Sequence, residues 1–398
     1  MNQTEQSSAA ETVDDQVKIL FLVTEDWYFF SHRLALAQSC RNLGWNVVVA
    51  THINKNYDEM KRQSFEIVPI RMRRGYGNLF SEIFAIFELI KIYRHHKPDI
   101  IHNVALKPVI YGSLAARFTR TAPVINMLAG MGYVFSRGGL STRLIRAAIK
   151  LALKSSLSPR RHWLIVQNNT DATVLIGNGI ASAERTKIIS GSGVNVQKFK
   201  PTPEPEGPVI VAVVSRMLKD KGIREAVMAA RELKRRRVDI EIWLVGDEDP
   251  KNPSSLSEET LRQWDEEGCI RWLGYQTDIS AIWAKAHIAL LPSYREGMPM
   301  SLLEAAACGR PIVTTDVPGC NELIKDSVNG ILVPKHDWIG IANAIQTLAN
   351  SPQLRAKLGA AARDTVCGAY SVETVNRETH ALYQLALRES KRDRSHAI

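Results

Sequence analysis

A two-domain α/β architecture, with helices flanking parallel sheets, is predicted by three observations. Strand-type apolar runs alternate with helix-forming segments from residue 17 to residue 333. The chain of 398 residues exceeds the size at which a single core usually stops growing. A stretch rich in Pro, Glu and Gly at 201–208 interrupts the alternation and reads as a linker.

Residues 1–16 are polar and acidic, without the apolar centre of a signal peptide, and read as a disordered tail. The first domain is placed at 17–200. It opens with a strand at 17–23, a helix ending near Leu43 and closed by Gly44, and a strand at 46–50. No glycine stands in the first strand-to-helix turn, Thr24 to Arg33, which excludes the dinucleotide-binding fingerprint and argues against a nicotinamide enzyme. Strands at 65–70, 99–102 and 123–126 follow, separated by helices at about 79–95 and after Pro108. In the 79–93 segment Ile83, Ile86, Phe87 and Ile90 recur at helical spacing, a stripe that reads as core packing before membrane insertion. In the 140–157 helix Arg143, Arg146, Lys150 and Lys154 lie opposite Leu144, Ile145, Ala148 and Ile149. That pattern suits a membrane-surface helix and a solvated basic face equally. Asn126, Gly130 and Gly132 sit in a glycine-containing loop at the end of a strand and are expected to line the substrate cleft. Runs at 163–167 and 187–189 complete this domain.

The second domain, 209–370, begins with a strand at 209–214 and the loop Ser215 to Gly222. Further strands are expected at 241–246, 270–273, 287–291, 312–314 and 331–333. Helices follow at about 338–349, 354–366 and 372–387, with the last one, within 371–390, separate from this domain. The basic end, 391–398, is expected to be disordered.

Five cysteines, none in a C-x-x-C pair, argue against a disulfide framework or a zinc site and suggest a reducing compartment. No run approaches the roughly 20 apolar residues of a membrane span. A cytosolic or peripheral protein is expected. Between 61 and 161 there are eighteen Lys and Arg against four acidic residues, a net of +14 that exceeds the +10 of the whole chain. This basic segment admits a solvated face, an anionic membrane surface or a nucleic acid as its explanation. No aromatic-interleaved RNA or DNA motif accompanies it, which disfavours the last.

The chemistry concentrates at 287–316. A strand, a loop from Pro292 to Pro299, a helix from Met300 to Cys308 and a second strand put Glu296 and Glu304 at the carboxyl end of a sheet. Open α/β folds bind ligands there, and helix N-termini there offer N–H groups to anions. Arg216 and Lys221 bracket a corresponding strand-to-helix loop, where two cations can grip a diphosphate. Asp247 and Asp249 form a D-x-D string after Gly246, read as a solvated loop and not a metal pair.

The spacing of Glu296 and Glu304, with Pro292-Ser293, Glu296-Gly297, Leu303-Glu304-Ala305 and Cys308-Gly309-Arg310-Pro311 around them, resembles the E-x7-E signature of retaining glycosyltransferases of family 4. Arg216 and Lys221 resemble that family's R-x4-K pair, and Ser31-His32-Arg33 resembles a subgroup that builds bacterial surface polysaccharides. Two departures stand out: the glycine pair of the first turn is missing, and Asn126 stands near where many relatives have a histidine.

The resemblance implies a GT-B fold, with two Rossmann-like domains facing a central cleft and the last helix crossing back to the first domain. It implies transfer of a hexose or N-acetylhexosamine from a UDP-linked donor to a lipid-linked glycan acceptor at an anionic membrane surface, with no metal, no other cofactor and no nucleic acid partner. Arg216, Lys221 and Glu296 would be catalytic. Gly274 and Tyr275 would hold the base, Glu296 and the backbone N–H groups of the Gly297-Met298-Pro299 segment the sugar hydroxyls, and Glu304 the ribose, with Met300, Ser301 and Leu303 also binding the donor. A UDP-N-acetylglucosamine epimerase on the same fold and an inactive sugar-nucleotide binder are the rival readings within this resemblance.

Overall fold

The computed structural model describes residues 17–54, 57–75, 79–119, 122–130, 140–158, 161–250 and 252–395. Seven strands, β1 (Lys18–Glu25), β2 (Asn46–His52), β3 (Glu66–Pro69), β4 (Ile100–Val104), β5 (Val124–Leu128), β6 (His162–Val166) and β7 (Thr186–Ile188), form one sheet in the order β3-β2-β1-β4-β5-β6-β7. Six more, β8 (Val209–Val214), β9 (Ile240–Val245), β10 (Arg271–Gly274), β11 (Ile288–Leu291), β12 (Ile312–Thr315) and β13 (Ile331–Val333), form a second in the order β10-β9-β8-β11-β12-β13.

Both orders reverse direction beside their first strand, the doubly wound arrangement whose switch point lies at the carboxyl ends of the central strands. Helices on both faces explain why these strands are apolar without alternation: Ile19, Leu20, Phe21 and Leu22 of β1 are all fully buried. The β8–β11 register, Val211 opposite Ile288 and Ala212 opposite Ala289, sets the loops after these two strands side by side.

The chain separates into two compact units. One comprises Met1–Met127, Pro159–Trp163 and Tyr383–Ile398, and the other Leu128–Ser158 and Leu164–Leu382. The last helix, Val372–Ser395, ends in the first unit, as expected of a helix that crosses back. There Tyr383 is fully buried, its hydroxyl bonds Nδ1 of His102 on β4, and Asp393 pairs with Arg161 at 3.1 Å. The expected disorder from 391 onward is therefore corrected as far as Ser395, because the helix continues through Lys391 and is tied down by Asp393.

Two further readings change. In the Leu79–His96 helix the expected core stripe splits: Ile90 is buried and Ile86 partly so, but Ile83 and Phe87 are exposed. The packed face is instead Ala85, Leu89, Ile92 and Tyr93. Apolar residues surround this helix almost completely, so periodicity alone does not select the face that meets the sheet. In the Leu140–Leu157 helix Lys150 is half-buried and reaches Asn178 at 3.3 Å, while Ala148 and Leu151 on the expected apolar side are exposed. Arg143, Leu144, Ile145 and Arg146 have side chains outside the described set. Among the described residues no helix is long and apolar enough to cross a membrane.

Candidate active site

The loop after β8 is held by a glycine that nothing else can replace. Gly222 has φ +71°, and a Cβ there would lie 2.0 Å from the carbonyl oxygen of Pro292. That contact docks the Arg216–Lys221 loop on the loop after β11. Tyr294 N–H donates to the Asp220 carbonyl at 2.9 Å, and the Ser293 hydroxyl donates to the same oxygen at 3.1 Å. Lys221, at the end of the Lys219–Lys221 turn, is thereby delivered to Glu296, and its Nζ lies 2.5 Å from Glu296 Oε1 with both side chains largely shielded.

Glu296 and Gly297 are clamped from two sides within the larger unit. A Cβ on Gly297 would fall 2.3 Å from Gln167 Oε1 and 2.8 Å from the Ala129 carbonyl oxygen. The Asn168 side-chain amide donates to the Gly297 carbonyl at 3.0 Å. Opposite, Glu296 N–H donates to Pro318 at 3.0 Å, and a Cβ on Gly319 would sit 2.6 Å from the Gly297 oxygen. Arg295 is anchored on the carboxylate of Asp171, which is almost wholly buried. A carboxylate in such a frame loses little freedom on binding a ligand, which is what positioning requires.

The helix Met300–Ala307 starts behind Pro299, so its first N–H groups have no intrahelical partner and point toward this loop. Met298 and Leu303 are buried, and the Leu303 N–H donates to the Pro299 carbonyl at 3.2 Å, while Met300 and Ser301 are half-buried. Glu304 lies one turn further on. Loss of hydration pushes its carboxyl up to about 7, against a smaller opposing pull from the charge of Lys198. The Cys308-Gly309-Arg310-Pro311 portion is structural: Arg310 is buried and donates to the Trp283 carbonyl at 2.9 Å and to Thr202 Oγ1 at 2.6 Å.

Arg216 does not join Lys221 at Glu296. Its guanidinium pairs with Asp249 at 2.6 Å, so Asp249 is not the solvated loop residue expected of the D-x-D string. The loop that carries it is laced to the loop after β8: Met217 N–H donates to the Asp247 carbonyl at 2.9 Å and Ser254 Oγ to Asp220 Oδ2 at 2.7 Å. Gly274 takes φ +62° and accepts from Gly246 N–H at 2.8 Å, placing it at the carboxyl end of β10, with Tyr275 beside it 70% exposed.

Of the three expected cleft residues, Gly130 has φ +118° and approaches Gly297, and Gly132 lies outside the described residues. Asn126 is corrected. It is fully buried on β5, accepting from Asn103 Nδ2 and Ser113 Oγ at 2.9 Å each, and so lines no cleft. Sequence reasoning missed Asp249, Gln167, Asn168 and the Arg295–Asp171 pair. Polar loop residues carry no periodicity to mark them, and only the string around Asp249 gave a signal.

Two family profiles match the chain, "Glycosyl transferase 4-like" over residues 18–158 and "Glycosyl transferases group 1" over 195–365. The chain belongs to the group 1, family 4 glycosyltransferases. This glycosyltransferase is 26% identical over 355 residues to the N,N'-diacetylbacillosaminyl-diphospho-undecaprenol α-1,3-N-acetylgalactosaminyltransferase of Campylobacter jejuni, covering 86% of this chain and 92% of the relative. It is 22% identical over 352 residues to the capsular polysaccharide biosynthesis glycosyltransferase CapM of Staphylococcus aureus, covering 85% and 90%.

Its fold is that of sucrose-phosphate synthase from Thermosynechococcus elongatus, with a TM-score of 0.79 at 18% identity over 94% of this chain and 100% of the other. HepE from Anabaena, crystallised with UDP and glucose, gives 0.75 at 20% identity over 93% and 100%. The two parallel α/β sheets and the returning last helix are the GT-B fold expected from the resemblance.

Proposed function

We propose that this glycosyltransferase moves a hexose or N-acetylhexosamine from a UDP-sugar to a hydroxyl of a lipid-linked glycan in bacterial polysaccharide or glycan assembly, with retention at the anomeric carbon. The observation that carries the reading is the meeting of Lys221 and Glu296 at 2.5 Å, from positions 75 residues apart, on the loop that leads into the Met300–Ala307 helix. A cation, a carboxylate and unpaired N–H groups at one point suit a ligand that bears both phosphate and hydroxyl groups.

In the reaction the bond from the anomeric carbon to the diphosphate oxygen breaks, and the electron pair leaves with UDP. The acceptor oxygen bonds to the same face of that carbon, and its proton passes to the departing phosphate oxygen. Lys221 and Arg216 stabilise the charge that builds on the diphosphate, and fixed cations aimed at developing charge are the strongest lever such a site has on the barrier. Arg216 does so after exchanging Asp249 for phosphate. Glu296 and the N–H groups at Gly297 to Pro299 hold sugar hydroxyls, Glu304 takes the ribose, and Gly274 with Tyr275 borders the uracil. Residues 209–370 form the donor-binding domain in this reading and 17–200 the acceptor-binding one, at the inner surface of the membrane.

The support for a UDP-sugar is the HepE complex, and for a lipid-linked acceptor the Campylobacter relative. Incubation with a panel of UDP-sugars and extracted lipid-linked acceptors, read as UDP release and acceptor extension, tests it. Lys221→Ala and Glu296→Ala are expected to lower kcat about 100-fold or more. An altered UDP-sugar without acceptor extension would identify an epimerase instead.

A further inference from the structure

The packed face of the Leu79–His96 helix leaves an opposite face that no described residue of its own unit covers. Phe80, Ile83, Phe84 and Phe87 are 74%, 43%, 67% and 58% exposed. At 100° per residue these four fall within a sector of about 100°, and Lys91 and Arg94, also exposed, continue the same stripe toward the helix end. Three adjacent phenylalanines in water are costly, and single exposed apolar residues do not explain a row of them.

Beside the row lies a cavity of about 450 Å³ bordered by Arg71, Arg73, Arg74, Lys107 and Phe84. Lys107 fixes its rim, donating to the carbonyls of Arg73 at 3.1 Å and Gly75 at 2.6 Å while pairing with Glu82 at 3.0 Å. Phe84 belongs to both the cavity and the row, so the cationic and apolar features are one surface.

We propose that this surface docks on an anionic phospholipid bilayer, with Phe80, Ile83, Phe84 and Phe87 entering the acyl boundary and Arg71, Arg73 and Arg74 meeting lipid phosphates in and around the cavity. Charge selects this occupant. From 71 to 107 there are seven Lys and Arg against Glu82, Glu88 and Asp99. Glu82 is tied to Lys107, and Glu88 accepts from the Arg71 N–H at 3.0 Å. A second copy meeting this face about a two-fold axis would bring like charges together. A sheet of anionic headgroups satisfies both parts at once, the arrangement of helices that lie in the membrane interface. The inference deepens the proposed function and rests on it only for the acceptor's presence in the same bilayer.

Flotation of the full chain with phosphatidylethanolamine–phosphatidylglycerol vesicles, against phosphatidylcholine vesicles, tests the proposal. Binding to the anionic vesicles only is expected, and it weakens as salt screens the arginines. The double variant Phe80→Ser/Phe87→Ser, folded by circular dichroism, is expected to bind at least about tenfold more weakly. With a soluble acceptor it should release UDP from the UDP-sugar as the parent does. Equal flotation of parent and variant, or no flotation of the parent, would overturn the proposal. So would a parent that sediments as a dimer and a variant that sediments as a monomer. A parent that floats but turns over no UDP-sugar would sink the proposed function and leave the docking surface intact.

Discussion

Glu304 carries a cost of burial that, in the proposed site, a bound ribose would relieve. Its carboxyl titrates at about 7 in the fold, above the ordinary carboxylate value of 4.5, because burial disfavours the charged form. The folded state therefore binds the proton more tightly than the unfolded chain. The associated stability is fully present below about pH 4.5 and lost as pH rises through 7. Glu304→Gln is expected to be more stable than the parent above pH 7, by on the order of 3 kcal/mol, with the difference vanishing below pH 4.5; urea melts across that range check it. The same substitution is expected to raise the donor KM if the carboxylate holds the ribose.

Asp249 acts in the opposite sense. Its carboxylate pairs with Arg216 at 2.6 Å, on a guanidinium that is 47% exposed, and in the proposed site it competes with the donor diphosphate for that cation. Exposed pairs of this type are worth up to about 1 kcal/mol. Asp249→Asn is therefore expected to lower the donor KM about two- to fivefold with little change in kcat. A raised KM would mean that Asp249 positions Arg216 and does not compete for it.

At the scale of elements, the site depends on glycines that let loops touch. Gly222→Ala would force a Cβ to 2.0 Å from the Pro292 carbonyl oxygen and impose a left-handed φ on alanine. The expected result is the loss of the Lys221–Glu296 contact, read as a fall in kcat of about 100-fold with a native far-ultraviolet spectrum. These contacts also show what the sequence can and cannot reveal. The strands are legible because parallel strands buried on both faces are nearly continuous apolar runs, as at β1 and β8. Glu296 and Lys221 are legible because each belongs to a spaced pair that resembles a family motif, Glu296 with Glu304 and Lys221 with Arg216. Asp249 and Asn126 are not, because a polar side chain's environment is set by tertiary partners, here Arg216 in one case and Asn103 with Ser113 in the other. The Leu79–His96 helix hides its packed face for a related reason: with apolar residues nearly all round, only the position of its neighbours decides which ones stay in water.

At the scale of the whole molecule, the last helix makes the smaller unit depend on the far end of the chain. Tyr383 is fully buried among residues that include Trp45, at a ring distance of 5.9 Å, and His102, whose imidazole is held neutral by burial first and by the nearby Arg33 charge second. Tyr383→Ala is expected to cost about 3–5 kcal/mol in that unit, seen as a lowered melting temperature. Tyr383→Phe, which removes only the hydroxyl from His102, should cost about 1–2 kcal/mol.

In the proposed site one cation and one carboxylate, brought together by two loops of the second sheet, hold a nucleotide diphosphate sugar. Isothermal titration of the parent, Lys221→Ala and Glu296→Ala with UDP and with the preferred UDP-sugar tests this most directly. Weakened UDP binding by Lys221→Ala, with Glu296→Ala weakening only the UDP-sugar, is the expected result. Unchanged affinities in both variants for both ligands would contradict it.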